Sequence, residues 1–551
     1  MPQVSGAYAD SAITAAPREH SYARYACYAA LFLSLAFFAA IRFHFRNLPL
    51  ERDEGEYAYM GQLLLQGVAP YKIAFTMKLP GTCMAYAAMM AGFGQTPGGI
   101  RLGMIVVTTL CAILVFLLGR KLSGLLAGTI AGITYPFLAI RPGVLGMDGH
   151  ATHFVVLFAL VGILLLLRCM ERERTILFFA SGLSFGLAFL MKQPGIFFAV
   201  FAGACWLWHE SQRGFHRERL AVAGSVFSAG VILPYTLTCL WLLHAGVFGS
   251  FWFWTWSYAR AYGAILSLRD SWTLCLRWTL PWAVRPFVLW EMALIGLAAP
   301  LWSRRARPYG GFVAGLFFTS LLTVSMGLYF RPHYFIMLLP ACAVCIGIAV
   351  DCAQCELRRL NFARLAFVPL LVFAIAYVVA VRGQWESYFR LNSDALSRKF
   401  CSNGQACADH VLVADFINAH ASPQDEIGIL GSEPEICFYT RLHCIGGYIY
   451  MYPLLEQQPF AKPMQADLVR TFESTRPRFI VYADNSWSWN WRPTFAENHG
   501  FLEWAWKFSH TGYQLVDAVP VTDTGSETSQ LWGDRAMLYV FERRDSPPTA
   551  P

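Results

Sequence analysis

Four carboxylates, Glu51, Asp53, Glu54 and Glu56, crowd the stretch LPLERDEGEYAYMGQLLLQG (48–67), and no further acidic residue follows until Asp148. A carboxylate held in apolar surroundings can take a proton from a hydroxyl. Further along, cations stand singly beside prolines or aromatics: Lys78 in MKLPG, Lys192 in LMKQPG, Arg331 and His333 in FRPHYF. Such groups stabilise negative charge growing on a departing phosphate. The two sets suit transfer from an anionic leaving group to a hydroxyl acceptor. Asp53 is then the base, Glu54 orients the acceptor or holds a divalent metal, and Lys78, Lys192, Arg331 and His333 receive the phosphate. A purely structural reading also stands. Asp53 followed by Glu56 is a capping-box pattern for a helix over 54–66, with Gly67 as its left-handed terminator. Acidic residues in a first turn also suit the helix dipole.

The elements that must position these residues lie in a membrane. Of 551 residues, 56% are hydrophobic and 14% charged, where soluble domains carry about 25% charged residues. The apolar residues come in runs, read as spans over 25–43, 100–119, 125–140, 151–167, 176–190, 195–208, 221–244, 287–302, 312–330, 334–350 and 364–381. The expected fold class is an α-helical polytopic membrane protein of about eleven transmembrane helices, followed by a small C-terminal α/β domain. The apolar stretch 82–93 is too short to span and is placed on the membrane surface. Basic clusters (GRKLSG, RCMERERT, ESQRGFHRERL, SRRARPYG, ELRRLNFAR) fall in every second loop, the positive-inside alternation. That pattern predicts a cytosolic N-terminus and an outward-facing first loop over 47–99. It also sets the turn at Asp148, the stretch 248–285 and the FRPHYF turn on the outer side. Arg42 and Arg46 run against the rule. Residues 1–22 and 544–551 are polar and expected to be disordered, leaving a membrane domain over 23–381 and an extracytoplasmic domain over 382–543. The net charge of +8 is spread over short loops and is not a nucleic-acid signature.

From 382 onward, charged residues, Asn and Pro return. HVLVADFINAH and QADLVRTFEST read as helices, and DEIGIL, PRFIVYAD and AMLYVFER as strands, which predicts an α/β unit. Cys401 and Cys407, and Cys437 and Cys444, are plausible disulfide pairs in an oxidising compartment. Cys342, Cys345, Cys352 and Cys355 follow a C-x-x-C rhythm too tightly spaced for a zinc ribbon, and are read as buried thiols.

Asp148, in GMDGHATHF, reads either as a turn residue capping the next helix or as a functional carboxylate shared with His150 or His153. Those histidines are three residues apart, a spacing that suits a metal or a satisfied interfacial pair. GVFGSFWFWTWSYARAYG (246–263) is an aromatic stretch, either an interfacial belt or a lid over a lipid. The chain has no phosphate-binding GxxxxGK[ST] loop and no Asp-x-Asp pair. A transporter or flippase for lipid-linked sugars would carry inverted repeats with matching broken spans. A non-catalytic membrane-anchored binding protein would need neither Lys192 at a span end nor the acidic loop helix.

The ordered set RDEGEYAYMGQLLLQG, KLPG, RLGMIVVTTLCAILVFLLGRKL, RPGVLGMDGHATHFVVLFAL, GLSFGLAFLMKQPG and RPHYFIMLLPA resembles the C-type glycosyltransferases. That group is related to protein O-mannosyltransferases and to bacterial aminoarabinose and lipopolysaccharide-core sugar transferases. The resemblance covers about residues 25–381. It implies a polytopic helical fold in the cytoplasmic (inner) membrane, an outward-facing active site, a polyprenyl-phosphate sugar donor and an envelope acceptor. Asp53 matches the proposed base, Asp148 the later loop aspartate, which would help bind donor or acceptor, and Lys78 the lysine before proline. Leu79 stands where many relatives have a second proline.

Overall fold

Main-chain N–H and C=O groups find no water in a bilayer, so the apolar runs must satisfy them internally, as helices do. The computed structural model describes residues 17–172, 174–214, 217–400, 407–489, 498–521 and 537–544. A helix stands over each predicted run: α1 (Pro17–His44), α4 (Pro97–Ser123), α5 (Leu125–Ile140), α6 (Ala151–Arg172), α7 (Thr175–Met191), α8 (Ile196–Gln212), α9 (Arg217–His244), α10 (Phe287–Leu297), α11 (Arg307–Ser325), α12 (Leu339–Arg359) and α13 (Val368–Arg382). Among the described residues, seven helices are long and apolar enough to cross a membrane, and α5, α7 and α10 are shorter apolar helices. Helix α1 begins at Pro17, inside the stretch expected to be disordered. Residues 1–16 and 545–551 lie outside the described residues, as does Cys401.

Two helices fill the first loop. Helix α2 (Arg52–Leu65) buries eleven of its fourteen residues. Helix α3 (Gly81–Phe93), the segment expected on the membrane surface, buries Tyr86 and Met90. At the centre of the bundle, α12 buries every residue from Leu339 to Cys352, including the free thiols of Cys342, Cys345 and Cys352. Small residues let its neighbours approach, as expected where helices pack without a hydrophobic drive between them. After α9 the chain from Phe248 to Ala283 is broken helix with two π-turns, Phe253–Tyr258 within the aromatic stretch and Leu274–Thr279 beyond it.

The C-terminal unit contains the expected helices and strands and more. It comprises α14 (Asp409–His420), β1 (Glu426–Leu430), α15 (Pro434–Thr440), β2 (His443–Cys444), α16 (Ala461–Thr475), β3 (Phe479–Asp484), α17 (His499–His510), β4 (Tyr513–Pro520) and β5 (Met537–Arg543). The five strands lie in the order β2-β1-β3-β5-β4. Strand β1 runs parallel to β2 (Ile427 opposite Cys444) and to β3 (Gly428 opposite Ile480). Strand β5 is antiparallel to β3 and β4. Strands β2 and β4 were not foreseen, because β2 is two residues long and TGYQLVDAVP alternates poorly. A disulfide joins Cys437 to Cys444, tying α15 to β2, and Cys407 is also disulfide-bonded.

Gly296 of α10 packs on the main chain of α12 so closely that an added Cβ would strike the Cys345 carbonyl. Gly296→Ala is therefore expected to destabilise the protein by about 1–3 kcal/mol, the usual cost of overpacking. The check is the thermal midpoint of the purified full-length protein in detergent.

Candidate active site

Helix α2 starts two residues earlier than the sequence pattern predicts. Its N-cap is Glu51, whose side chain accepts from Asp53 N at 2.8 Å, while Glu51 N donates to Glu54 Oε2 at 3.3 Å. The capping box is therefore Glu51/Glu54, and Asp53 is released from capping. The stop at Gly67 is as expected, with φ +81°.

Glu54 faces away from the cavity. It is fully buried and ion-paired with Arg101 of α4, whose Nη2 lies 2.7 Å from Oε2. It also accepts from Gly149 N and from Tyr86 Oη. The expectation that Glu54 orients an acceptor or holds a metal is corrected on this ground: its oxygens are spent on joining α2 to α4 and to the loop before α6. Tyr86 Oη donates to Gly149 O at 2.7 Å. Arg42 donates to Gly146 O at 2.6 Å and Met147 O at 3.3 Å, which accounts for a buried arginine that defies the positive-inside pattern. The loop so held presents Asp148, with Arg101 3.4 Å from its Oδ1. Burial first, and then Glu54, push the Asp148 carboxyl up to about 7, against the pull of Arg101 and Arg42.

Asp53, Lys78, Asp148, Lys192, Arg331 and His333 line one cavity of about 1150 Å³. Lys78 Nζ lies 2.9 Å from Asp53 Oδ1 and 2.5 Å from Glu56 Oε2, and 4.5 Å from the centre of the Tyr57 ring. Thr76 Oγ1 donates to the other Glu56 oxygen and accepts from Lys78 N, fixing the turn before the lysine. Burial alone would push the Asp53 carboxyl up. Lys78, then His333 and His150, outweigh it and hold Asp53 well below the usual carboxylate range. Lys192 stands over the Tyr334 ring at 3.8 Å and Arg331 lies 5.6 Å from the Tyr329 ring. Neither has a carboxylate within 4.0 Å among the described residues. The two lysine loops are tied together: Gln193 Nε2 donates to Met77 O at 3.1 Å and Thr82 Oγ1 to Met191 O at 2.9 Å.

His333 stacks on His150 at 4.0 Å with an interplanar angle of 13°. Each presents a ring nitrogen 3.9 Å from Asp53 Oδ2. Burial holds both imidazoles below their ordinary range, His150 at about 4. Asp53, His150 and His333 each offer a ligand atom, all within 4.8 Å of one another. This two-histidine, one-carboxylate set is suited to a divalent transition metal, and it replaces the His150/His153 spacing considered from sequence.

Sequence reasoning missed the far wall. Tyr448, Tyr450, Tyr452 and Glu456 of the C-terminal unit line the same cavity, as do Trp254, Tyr258, Arg260 and Tyr262. Tyr450 Oη donates to Asp53 Oδ1 at 3.1 Å. Tyr258 Oη donates to Glu456 at 2.6 Å, and Trp254 stacks on Phe75 at 5.5 Å. The aromatic stretch thus gives one face to the cavity, while Trp252, outside the lining, is exposed. The period-two tyrosines of GYIYMYP were the available signal.

The family model for dolichyl-phosphate-mannose-protein mannosyltransferases matches residues 80–238. Among solved structures, ArnT from Cupriavidus metallidurans in the apo state is similar with a TM-score of 0.55 and 16% identity, covering 94% of this chain and 98% of that one. The same protein bound to undecaprenyl phosphate gives 0.52 and 16%, over 95% and 98%. No curated protein sequence matches the chain significantly. The fold is thus ArnT-like along nearly the whole chain, in line with the resemblance to C-type membrane glycosyltransferases drawn from the ordered motifs.

Breaking a buried ion pair leaves one uncompensated charge and costs about 3–5 kcal/mol. Glu54→Gln is expected to lower the thermal midpoint of the full-length protein sharply by stranding Arg101, whereas Asp53→Asn, at the cavity edge, shifts it far less. Side-by-side melting of the two variants checks this assignment of Glu54 to structure.

Proposed function

We propose that this chain is a glycosyltransferase that moves a sugar from a polyprenyl-phosphate donor to a hydroxyl of an envelope lipid, glycan or protein, at the outer face of the inner membrane. The observation that carries the reading is the meeting of Asp53 with Lys78, Lys192 and Arg331 in a single cavity. The similar ArnT structure holds undecaprenyl phosphate, and a carrier of that class is the one proposed here.

The acceptor oxygen attacks the anomeric carbon, the bond from that carbon to the phosphate oxygen breaks, and the carrier phosphate leaves with the electron pair. The acceptor's proton passes to Asp53. Direct displacement inverts the configuration. In the resting site Asp53 is a weak base because Lys78 neutralises it. An entering phosphate competes with Asp53 and Glu56 for that ammonium. As Lys78 turns toward the donor, Asp53 loses its main counter-charge and its proton affinity rises. Lys192 and Arg331, with no carboxylate partner, bind the phosphate without giving up an ion pair. If a divalent cation takes part, Asp53, His150 and His333 would hold it, and it would supply Lewis-acid stabilisation of the phosphate.

Asp53→Asn is expected to reduce transfer by about 10²–10⁴-fold, the usual range for a general base, while binding undecaprenyl phosphate at least as tightly as wild type, because a competitor for the Lys78 ammonium is gone. Mass spectrometry of envelope lipids and glycans, comparing a deletion strain with one carrying the wild-type chain, identifies the transferred mass. Restoration of that mass by the Asn variant at the wild-type rate overturns the reading.

Asp148 gives a pH test whose sign is fixed. Below about pH 7 its carboxyl is protonated, and wild type should match Asp148→Asn in affinity for undecaprenyl phosphate. As the pH rises through that value the charge appears and repels the anionic lipid, so the Asn variant should bind more tightly only on the alkaline side. Comparing the two proteins at each pH cancels the lipid's own ionisation.

A further inference from the structure

Open parallel sheets hold ligands beyond the carboxyl ends of their strands, at the point where the order of connection reverses. In the C-terminal unit the chain leaves β1, forms β2 on one side, and returns as β3 on the other. The crevice beyond Leu430 and Asp484 is occupied by the chain's own α2. Ser432 N donates to Ser488 Oγ at 2.8 Å and Ser488 Oγ to Glu433 Oε2 at 2.9 Å, while Glu433 Oε1 lies 3.7 Å from Arg52, the first residue of α2. At Gly55 an added Cβ would sit 2.6 Å from Glu435 N, so α2 and α15 meet main chain to main chain. From the same rim Tyr452 Oη accepts from Arg52, and Tyr450 Oη reaches both Arg52 O and Asp53 Oδ1.

We infer that the C-terminal α/β unit is the holder of the proposed base: its strand-end crevice grips α2, and Tyr450 is a positioning residue for Asp53. The inference rests on the reading of Asp53 as the base. Its physical ground is a division of labour around one carboxylate. The capping contacts of α2 go to Glu51 and Glu54, so α2 itself gives the Asp53 side chain no support. Lys78 is a cation that a donor phosphate draws off. Tyr450 is a neutral donor that stays with Asp53 when Lys78 leaves, keeping one oxygen fixed and the other free for the acceptor's proton.

The test uses Tyr450→Phe and Glu433→Gln in the full-length protein in lipid nanodiscs. Hydrogen exchange by mass spectrometry reads the grip. Glu433→Gln should speed exchange of the amides in 52–65 and leave those of β1 and β3 unchanged. Transfer of the mass identified in the deletion-strain comparison reads the positioning. Tyr450→Phe should lower kcat by about 10- to 100-fold, the worth of one hydrogen bond to a charged group, with KM nearly unchanged. A wild-type kcat in Tyr450→Phe, or unaltered α2 exchange in Glu433→Gln, overturns the inference. Should Glu433→Gln fail to fold, Tyr452→Phe loosens the same Arg52 contact by a single oxygen. Full activity in Asp53→Asn would instead remove the base assignment, and the exchange result would still report whether the unit grips α2.

Discussion

The ammonium of Lys78, shared by Asp53 and Glu56, is the contact around which the rest of the site is arranged. Helix α2 is buried almost throughout and carries carboxylates where desolvation is costly, so each one needs a partner brought from another part of the chain. Lys78 comes from the turn after α2, Arg101 from α4, and Gly149 N from the loop before α6. Arg52 in turn finds Glu433. Turning α2 by a single residue would leave at least one of these charges alone in a dry environment. Charge pairing, more than the apolar area the helix covers, therefore sets its rotation, and that rotation is what aims Asp53 into the cavity.

Much of this was legible in the sequence because the signals are local or periodic. The apolar runs gave helices, DEIGIL and PRFIVYAD gave the two central parallel strands, and isolated cations at span ends marked the cavity. The capping box was misplaced because Glu51/Glu54 and Asp53/Glu56 satisfy the same three-residue spacing. The choice between them is tertiary, made by Arg101 taking Glu54 and Lys78 taking Glu56. The pairing of His150 with His333 was hidden for the same reason: each lies in its own turn, 183 positions apart in the chain, and only the packing of α6 against the turn before α12 stacks their rings.

The tyrosine wall is the largest omission. Tyr448, Tyr450 and Tyr452 lie almost 400 residues from Asp53, in a segment with little regular structure. No propensity or spacing argument joins GYIYMYP to RDEGE. Only the fold does so, by placing the strand-end crevice over α2 and by joining Phe75 N to Gly447 O at 2.7 Å beside it. Arg42 teaches a similar point. It breaks the charge-asymmetry rule because its guanidinium is an internal brace for the Gly146 and Met147 carbonyls rather than a topological signal.

The bonds from Gln193 to Met77 and from Thr82 to Met191 bear on how such a site could breathe. They yoke the Lys78 and Lys192 turns, so the distance between those two cations is set by the scaffold before any guest arrives. A floor of that kind works as a fixed gauge. Any opening of the cavity then falls to the opposite wall, the broken helical stretch from Phe248 to Ala283, where π-turns interrupt the regular ladder and the exposed Trp252 and Trp272 meet the surroundings.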